Sequence, residues 1–97
     1  MSIWKDRVCV VTGAGSGIGA GLARHAAAAG MHVIGADVDE PGLAELEKTV
    51  RGRRQSVATR RVDVRDEQAV EALATEVFTK HGQVNLLFNN AGVLVDG

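Results

Sequence analysis

The sequence predicts an α/β fold with a doubly wound parallel sheet, and two observations support that prediction. Short apolar, β-branched runs alternate along the chain with longer segments of helical periodicity. A glycine-rich stretch, TGAGSGIG, follows the first of these runs. Strands that alternate with helices form parallel βαβ units with right-handed crossovers, and a reversal after the third strand gives the strand order 3-2-1-4.

Each predicted element has its own local signal. Apolar residues recur on one face of the first helix, and Gly30 stands where a C-terminal cap belongs. Asp39 and Asp66 are placed to cap the second and third helices, and Pro41 is acceptable in a first helical turn. The predicted strands are 7–11, 32–36, 57–64 and 84–88, and the predicted helices are 18–29, 41–50 and 67–80.

Length, charge and cysteine content limit the classes of function. The 97 residues form one domain at most, and the net charge of −1 gives no reason to expect a nucleic-acid partner. No stretch reaches the ~18 apolar residues of a membrane span. The single cysteine, Cys9, excludes an internal disulfide, which fits a cytoplasmic protein. Because it lies in the apolar run RVCVV, we expect its thiol to be buried. The three histidines lack metal-ligand spacing, and no metal site is expected.

The glycine-rich stretch predicts a pyrophosphate site. Gly13 allows a tight turn out of the strand, Gly17 removes a side chain where a phosphate approaches, and Gly19 lets the helix pack close to the strand. The helix that begins near Ile18 supplies free N–H groups and a positive dipole end. A glycine-rich turn without a ligand is the alternative for the glycines alone. A P-loop is excluded because no lysine follows them.

Asp37 supplies the second part of the predicted site. It stands at the end of the second strand, where a carboxylate accepts hydrogen bonds from the hydroxyls of an adenosine ribose. The same charge repels a 2′-phosphate at close range. The positions expected to adjoin it, Ser16 and Val38, carry no positive charge. We therefore expect NAD rather than NADP.

Three motifs resemble those of the classical short-chain dehydrogenases/reductases and occur in the same order. They are TGAGSGIG after the first strand, Asp63-Val64 at the end of the third, and the NNAG segment that begins at Asn89. The resemblance covers nearly the whole chain and implies a Rossmann-type sheet that binds NAD(H). Asn85 stands where the family often has Asp, which affects only a contact at the start of the fourth strand.

The resemblance also implies a role for individual residues. Ser16 and Ile18 would contact the pyrophosphate side of the cofactor, and Asp63 would meet the adenine amino group. Val64 would meet the adenine ring through its backbone N–H, and Asn90 would lie beside the ribose. The implied cofactor-binding residues are Gly13, Ser16, Gly17, Ile18, Gly19, Asp37, Asp63, Val64, Asn90, Ala91 and Gly92.

The family's catalytic residues have no counterpart in the sequence. The family transfers hydride between nicotinamide and an alcohol or carbonyl carbon, using a Tyr-x-x-x-Lys pair with an upstream Ser and Asn. The chain contains no Tyr, and its last lysine is Lys80. We therefore expect residues 1–97 to be a NAD-binding half-domain without the catalytic C-terminal half, inactive alone. A small alcohol or carbonyl substrate would bind only to a full-length parent.

A non-catalytic module is the alternative reading. It would bind a nucleotide or a partner and use the exposed fourth strand for assembly. In the order 3-2-1-4 that strand lies at an edge, and its apolar residues Leu86, Leu87 and Phe88 include no charge that would prevent pairing. We expect pairing with a second copy or a marginal, partly molten monomer.

Five arginines are expected to form a solvated surface, with a polyanion site as the alternative: Arg51, Arg53, Arg54, Arg60 and Arg61.

Overall fold

The computed structural model describes residues 3–15, 17–63 and 65–89. All four of its strands are parallel, and their order across the sheet is β3-β2-β1-β4, which confirms the predicted Rossmann-type architecture. None of the helices in these ranges is long and apolar enough to cross a membrane. The elements are β1 (Val8–Thr12), α1 (Gly17–Ala28), β2 (His32–Asp37), α2 (Glu40–Gly52), β3 (Ser56–Arg61), α3 (Glu67–His81) and β4 (Leu86–Asn89).

The helix ends follow the local signals in the sequence. The carboxylates of Asp39 and Asp66 accept hydrogen bonds from backbone N–H groups in the first turns of α2 and α3. Gly82 caps α3 with a φ of 73°, and Gly30 follows α1 with a φ of 94°. Glycine adopts these left-handed conformations without the strain that a Cβ would cause.

The sheet is covered on both faces, but unequally. In the described part of the chain, α1 and α2 pack on one face and α3 packs alone on the other. All five residues of the central strand β1 are buried, as expected for a parallel strand between two helical layers. The α1–α2 side of the core includes Cys9, Val11, Val33 and Leu46, and the α3 side includes Val8, Val10, Ile34 and Leu73.

The third and fourth strands differ in their bounds from the prediction. β3 ends at Arg61 instead of 64, because the chain then enters a turn closed by a hydrogen bond to the Asp63 carbonyl. β4 begins at Leu86 instead of 84. Asn85 still ties the strand to β1: its side-chain oxygen accepts from the Val8 N–H at 2.8 Å, and its own N–H donates to the Val8 carbonyl at 2.9 Å. Asn85 stands where the family often has Asp, which had put the contact at the start of this strand in question. Its amide nevertheless makes that contact.

Candidate functional site

The glycine loop connects β1 to α1 at the carboxyl ends of the strands. Gly13 has a φ of 71° and Gly17 a φ of 60°, so both occupy the left-handed region that favours glycine. A Cβ built on Gly17 meets no atom within 4 Å, so the space beside this residue is open. Gly19 is buried in the first turn of α1, whereas Ile18 is 74% exposed. Ser16 lies outside the described residues.

Asp37 reaches the glycine loop from the end of β2. Its Oδ2 accepts a hydrogen bond from the Gly15 N–H at 2.8 Å. Its Oδ1 accepts from the N–H groups of Val38 at 2.7 Å and Asp39 at 3.1 Å. A carboxylate has about four acceptor sites, so these three donors leave capacity for about one more. The structure therefore brings together the loop and the carboxylate that the sequence assigned to one site.

Gly15 belongs to this site, although the sequence analysis did not assign it. A Cβ at this position would lie 2.8 Å from Asp37 Oδ2 and 3.0 Å from the Asp39 Cβ. A larger residue would therefore push the carboxylate away from the loop. The available signal is the spacing Gly15-x-Gly17-x-x-Ala20, which fits the alanine variant of the dinucleotide fingerprint.

Gly42 brings the first turn of α2 against the same loop. A Cβ at this position would overlap the Gly15 carbonyl oxygen and lie 2.6 Å from Asp39 Oδ2. The Gly42 N–H donates to Asp39 Oδ1 at 3.0 Å, which fixes the start of the helix. Loop and helix are packed with no space for a side chain between them. No sequence pattern identifies this glycine, because the contact joins distant parts of the chain.

The ends of β1 and β4 are joined by side chains. Thr12 is fully buried, and its hydroxyl lies 2.9 Å from Asn89 Oδ1 and 3.3 Å from the Phe88 carbonyl oxygen. A hydroxyl has one proton, so these two acceptors share it. Because Asn89 is the first residue of the NNAG segment, this contact places the start of that segment beside the glycine loop. The remaining predicted residues of the segment, Asn90, Ala91 and Gly92, lie outside the described residues.

Asp63 lies just after β3 and is bound by Arg65. The guanidinium donates from Nε to Oδ1 and from Nη2 to Oδ2, each at 3.1 Å, and the Arg65 backbone N–H donates to Oδ1 at 3.0 Å. These hydrogen bonds lower the pKa of Asp63 below its ordinary value of 3.8. The carboxylate is ionised at neutral pH, and the arginine uses part of its capacity to accept hydrogen bonds. Val64 lies outside the described residues.

The other chemically distinctive side chains are dispersed. Within residues 3–15, 17–63 and 65–89, no three His, Cys, Asp or Glu side chains are placed to hold a metal ion. Burial raises the pKa of the Cys9 thiol to about 11, so it stays protonated at neutral pH. Three of the five clustered arginines form ion pairs, Arg51 with Glu47, Arg60 with Glu76 and Arg61 with Glu40. These pairs favour the solvated-surface interpretation over a polyanion site.

The described site fits phosphate and ribose groups. Open backbone at the N-terminus of α1 favours an anion, and the Asp37 carboxylate favours hydroxyl donors. Both lie at the carboxyl ends of the strands beside the switch in strand order, which is where open α/β sheets bind ligands. The residues present therefore fit the adenosine and pyrophosphate part of a dinucleotide.

Known proteins resemble this chain in both sequence and fold. A family model for short chain dehydrogenase matches residues 7–97. An uncharacterized oxidoreductase of Staphylococcus saprophyticus is 40% identical over 92 residues, which make up 94% of this chain and 39% of that protein. A short chain dehydrogenase/reductase from Burkholderia phymatum, solved in complex with NAD, is 44% identical with a TM-score of 0.86. That match covers 96% of this chain and 33% of the other.

A metagenomic short-chain oxidoreductase solved in complex with NADP is also similar, with 34% identity and a TM-score of 0.85. The match covers 93% of this chain and 41% of that one. The chain thus spans about a third to two fifths of the length of these relatives. The family match includes all four strands and the glycine loop. The chain belongs to the short chain dehydrogenase family.

Proposed function

We propose that this chain binds the adenosine and pyrophosphate of NAD(H) as the dinucleotide-binding part of a short-chain dehydrogenase/reductase. The observation that carries the proposal is the 2.8 Å hydrogen bond from Gly15 N–H to Asp37 Oδ2. It holds a carboxylate at the mouth of the glycine loop, where a ribose can meet it while the phosphates reach the N-terminus of α1. The similarity to the Burkholderia phymatum protein solved with NAD supports the same cofactor.

The charge of Asp37 favours NAD over NADP. Two unit charges of the same sign 4 Å apart repel by about 1 kcal/mol in water and by about 4 kcal/mol at the effective dielectric constant of a protein surface. The 2′-phosphate of NADP brings such a charge to the ribose, whereas the 2′-hydroxyl of NAD donates a hydrogen bond instead. The proposed cofactor is therefore NAD(H).

The other contacts follow the motifs of the family. Gly13, Gly17 and Gly19 would shape the loop for the cofactor, and Ser16 and Ile18 would contact its pyrophosphate side. Asp63 and Val64 would bind the adenine. Asn90, Ala91 and Gly92 of the NNAG segment would bind beside the adenosine ribose.

The chain by itself is proposed to be inactive. When bound, NAD(H) supplies or accepts the hydride of an alcohol–carbonyl interconversion. The sequence contains no Tyr, so it has no phenol to transfer the accompanying proton. Purified chain assayed for NADH formation over a panel of small alcohols should therefore turn over more slowly than about 1 s⁻¹, a low value for an enzyme. Faster turnover would contradict this part of the proposal.

Calorimetric titration with NAD⁺ and NADP⁺ tests the binding site. Asp37→Ala should weaken NAD⁺ binding about tenfold or more, because hydrogen bonds to a charged group contribute about 1.5–3 kcal/mol. Asp37→Asn retains a side chain of the same shape and isolates the effect of the charge on the choice between cofactors. Glu71→Ala removes an exposed carboxylate from the middle of α3 and serves as the control. Tighter binding of NADP⁺ than of NAD⁺ by the unmutated chain would show that Asp37 lacks the proposed role.

A non-catalytic assembly module is the second candidate, and the edge strand β4 favours it. Leu87 on this strand is 54% exposed, and nearby Phe78 on α3 is 59% exposed. Apolar grooves lie on both faces of the sheet beside β4, one lined by Leu87 and Phe78 and the other by Leu86 and Phe88. Exposed strand edges flanked by apolar surface pair with other chains.

A cytoplasmic location is part of the proposal. The single thiol, Cys9, is buried in β1 and has no second cysteine in the sequence with which to pair. A free thiol of this kind is typical of reducing compartments.

A further inference from the structure

We propose that the ion pair between Glu40 and Arg61 holds a cation away from the adenosine ribose and so contributes to the choice between NAD and NADP. This inference rests on the proposed function, because it concerns the same site. Glu40 at the start of α2 and Arg61 at the end of β3 thus both take part in cofactor selection. Asp37 then excludes NADP by its own charge, and Glu40 does so by restraining a neighbouring arginine.

Arg61 stands directly beside Asp37 in the sheet. The two are register partners, each the last residue of its strand, on β3 and β2. Neighbouring strands are about 4.8 Å apart, and partners in a parallel pair project to the same face of the sheet. The neighbours of Asp37 that the sequence predicts, Ser16 and Val38, include no cation, whereas pairing of β2 with β3 places Arg61 beside it.

Glu40 engages that cation. Its Oε2 lies 2.8 Å from Arg61 Nε, and it is the first residue of α2, on the side of the helix that faces β3. The two side chains are 67% and 65% exposed, so neither is locked in place by packing. Exposed ion pairs are weak, and loss of Glu40 would free the guanidinium to move. A free guanidinium binds a phosphate through two parallel N–H donors, which a ribose hydroxyl cannot match.

The neighbouring residue on β3 provides a matched control. Arg60 Nη2 lies 2.8 Å from Glu76 Oε2, the same separation as in the first pair. Because successive residues of a strand point to opposite faces, Arg60 projects toward α3 and away from the face on which Asp37 lies. Glu76→Gln therefore removes the same charge and the same kind of ion pair without releasing a cation beside the ribose site.

The experiment measures NAD⁺ and NADP⁺ affinities by calorimetry in the Asp37→Ser background, where a released arginine cannot pair with Asp37. Adding Glu40→Gln should strengthen NADP⁺ binding about fivefold, the factor that corresponds to about 1 kcal/mol, the upper value for an exposed ion pair. NAD⁺ affinity should stay within about twofold, because its ribose carries no phosphate to attract the arginine. Adding Glu76→Gln instead should leave both affinities within about twofold, and adding Arg61→Ala to the Glu40→Gln variant should abolish the gain.

Three outcomes would overturn the inference alone. Equal gains from Glu40→Gln and Glu76→Gln would indicate net charge alone. A gain that survives Arg61→Ala would belong to another cation, such as Arg24, which lines the cleft beside Gly15. An unchanged NADP⁺ affinity in both Glu40→Gln and Glu40→Ala would mean that the pair does not restrain Arg61. Failure of the unmutated chain to bind NAD⁺ at all would overturn the proposed function together with this inference, whereas the other three outcomes leave the proposed function intact.

Discussion

The carboxylates that follow β2 and β3 are bound by different donors, and those donors determine what each carboxylate is free to do. Asp37 accepts only backbone N–H groups in the described structure, which hold it in place without neutralising its charge. Asp39 uses one oxygen to cap α2. Asp63 is paired with a guanidinium. Of these three carboxylates, Asp37 is the one that reaches the glycine loop, and it keeps capacity for about one more hydrogen bond at the predicted ribose position.

The pKa of Asp63 provides a prediction at this scale. Arg65→Gln should raise it toward 3.8, because the side-chain hydrogen bonds of Arg65 are the largest cause of its lowering. Arg61→Gln should raise it less, since Arg61 acts only through a weaker Coulomb attraction. Carbon-detected NMR titration of the carboxyl group measures both shifts. A larger shift from Arg61→Gln than from Arg65→Gln would contradict the assignment.

The same pKa gives the sign of a pH effect on stability. A carboxyl whose pKa is lower in the folded state than in the unfolded state stabilises the fold above the unfolded value, here about 3.8. That contribution is lost as the pH falls through the folded pKa. Urea unfolding of the unmutated chain and the Arg65→Gln variant should therefore differ at neutral pH and converge in acid.

At the scale of elements, the glycine loop is positioned by α2 and β2 in addition to β1 and α1, which it connects. The first turn of α2 packs against the Gly15 carbonyl, and the end of β2 binds the Gly15 N–H. The carbonyl and the N–H of Gly15 thus both contact elements that follow the loop in the chain. These contacts fix the conformation of the loop at Gly15.

Two glycines of α2 provide a matched pair for testing this packing. Gly42→Ala should destabilise the chain by about 1–3 kcal/mol, the usual cost of forcing an atom into a filled space. Gly52→Ala should be neutral or stabilise it by up to about 1 kcal/mol, since a Cβ there meets nothing within 4 Å and Ala is the better helix former. The free energy of unfolding in urea measures both changes. Equal stability of the two variants would show that α2 does not constrain the loop.

At the scale of the whole molecule, the two edges of the sheet differ in charge. β3 is an edge strand that carries ion-paired arginines on both faces, whereas β4 at the other edge carries Leu86, Leu87 and Phe88. Charge at the first edge discourages pairing, and the apolar second edge has no such protection. Any association of the chain with another copy should therefore occur at β4.

Leu87→Lys tests this edge. The substitution should reduce self-association in sedimentation experiments, because it places a charge in a strand that would otherwise pair with another chain. Some stability should be lost, since Leu87 also lines the groove beside Val10 and Phe78. Ala72→Lys adds the same charge to an exposed position of α3 and should not change association. A compact monomer with sharp thermal unfolding at high concentration would exclude association through β4.

The type of each element and the order of the strands could be predicted from local sequence patterns. Apolar runs, helical stripes, capping aspartates and glycines at helix ends predicted the seven elements that the described residues form, and the rules of parallel connection predicted their order in the sheet. The glycine spacing and Asp37 located the candidate site, because both signals come from short segments beside the first two strands. The end of β3 was predicted three residues too late, because the turn at Asp63 is fixed by hydrogen bonds that apolar patterning does not reveal.

The sequence by itself thus determined the order of the sheet, the glycine loop and the carboxylate that follows β2. Only the tertiary structure decided that Gly15 and Gly42 touch, that Thr12 meets Asn89, and that Arg61 stands beside Asp37 under the restraint of Glu40. Each of these contacts joins residues that are distant along the chain. Propensity and periodicity describe a segment and its own neighbours, whereas such contacts exist only after parallel pairing has set the register of the strands and packing has placed the helices against them.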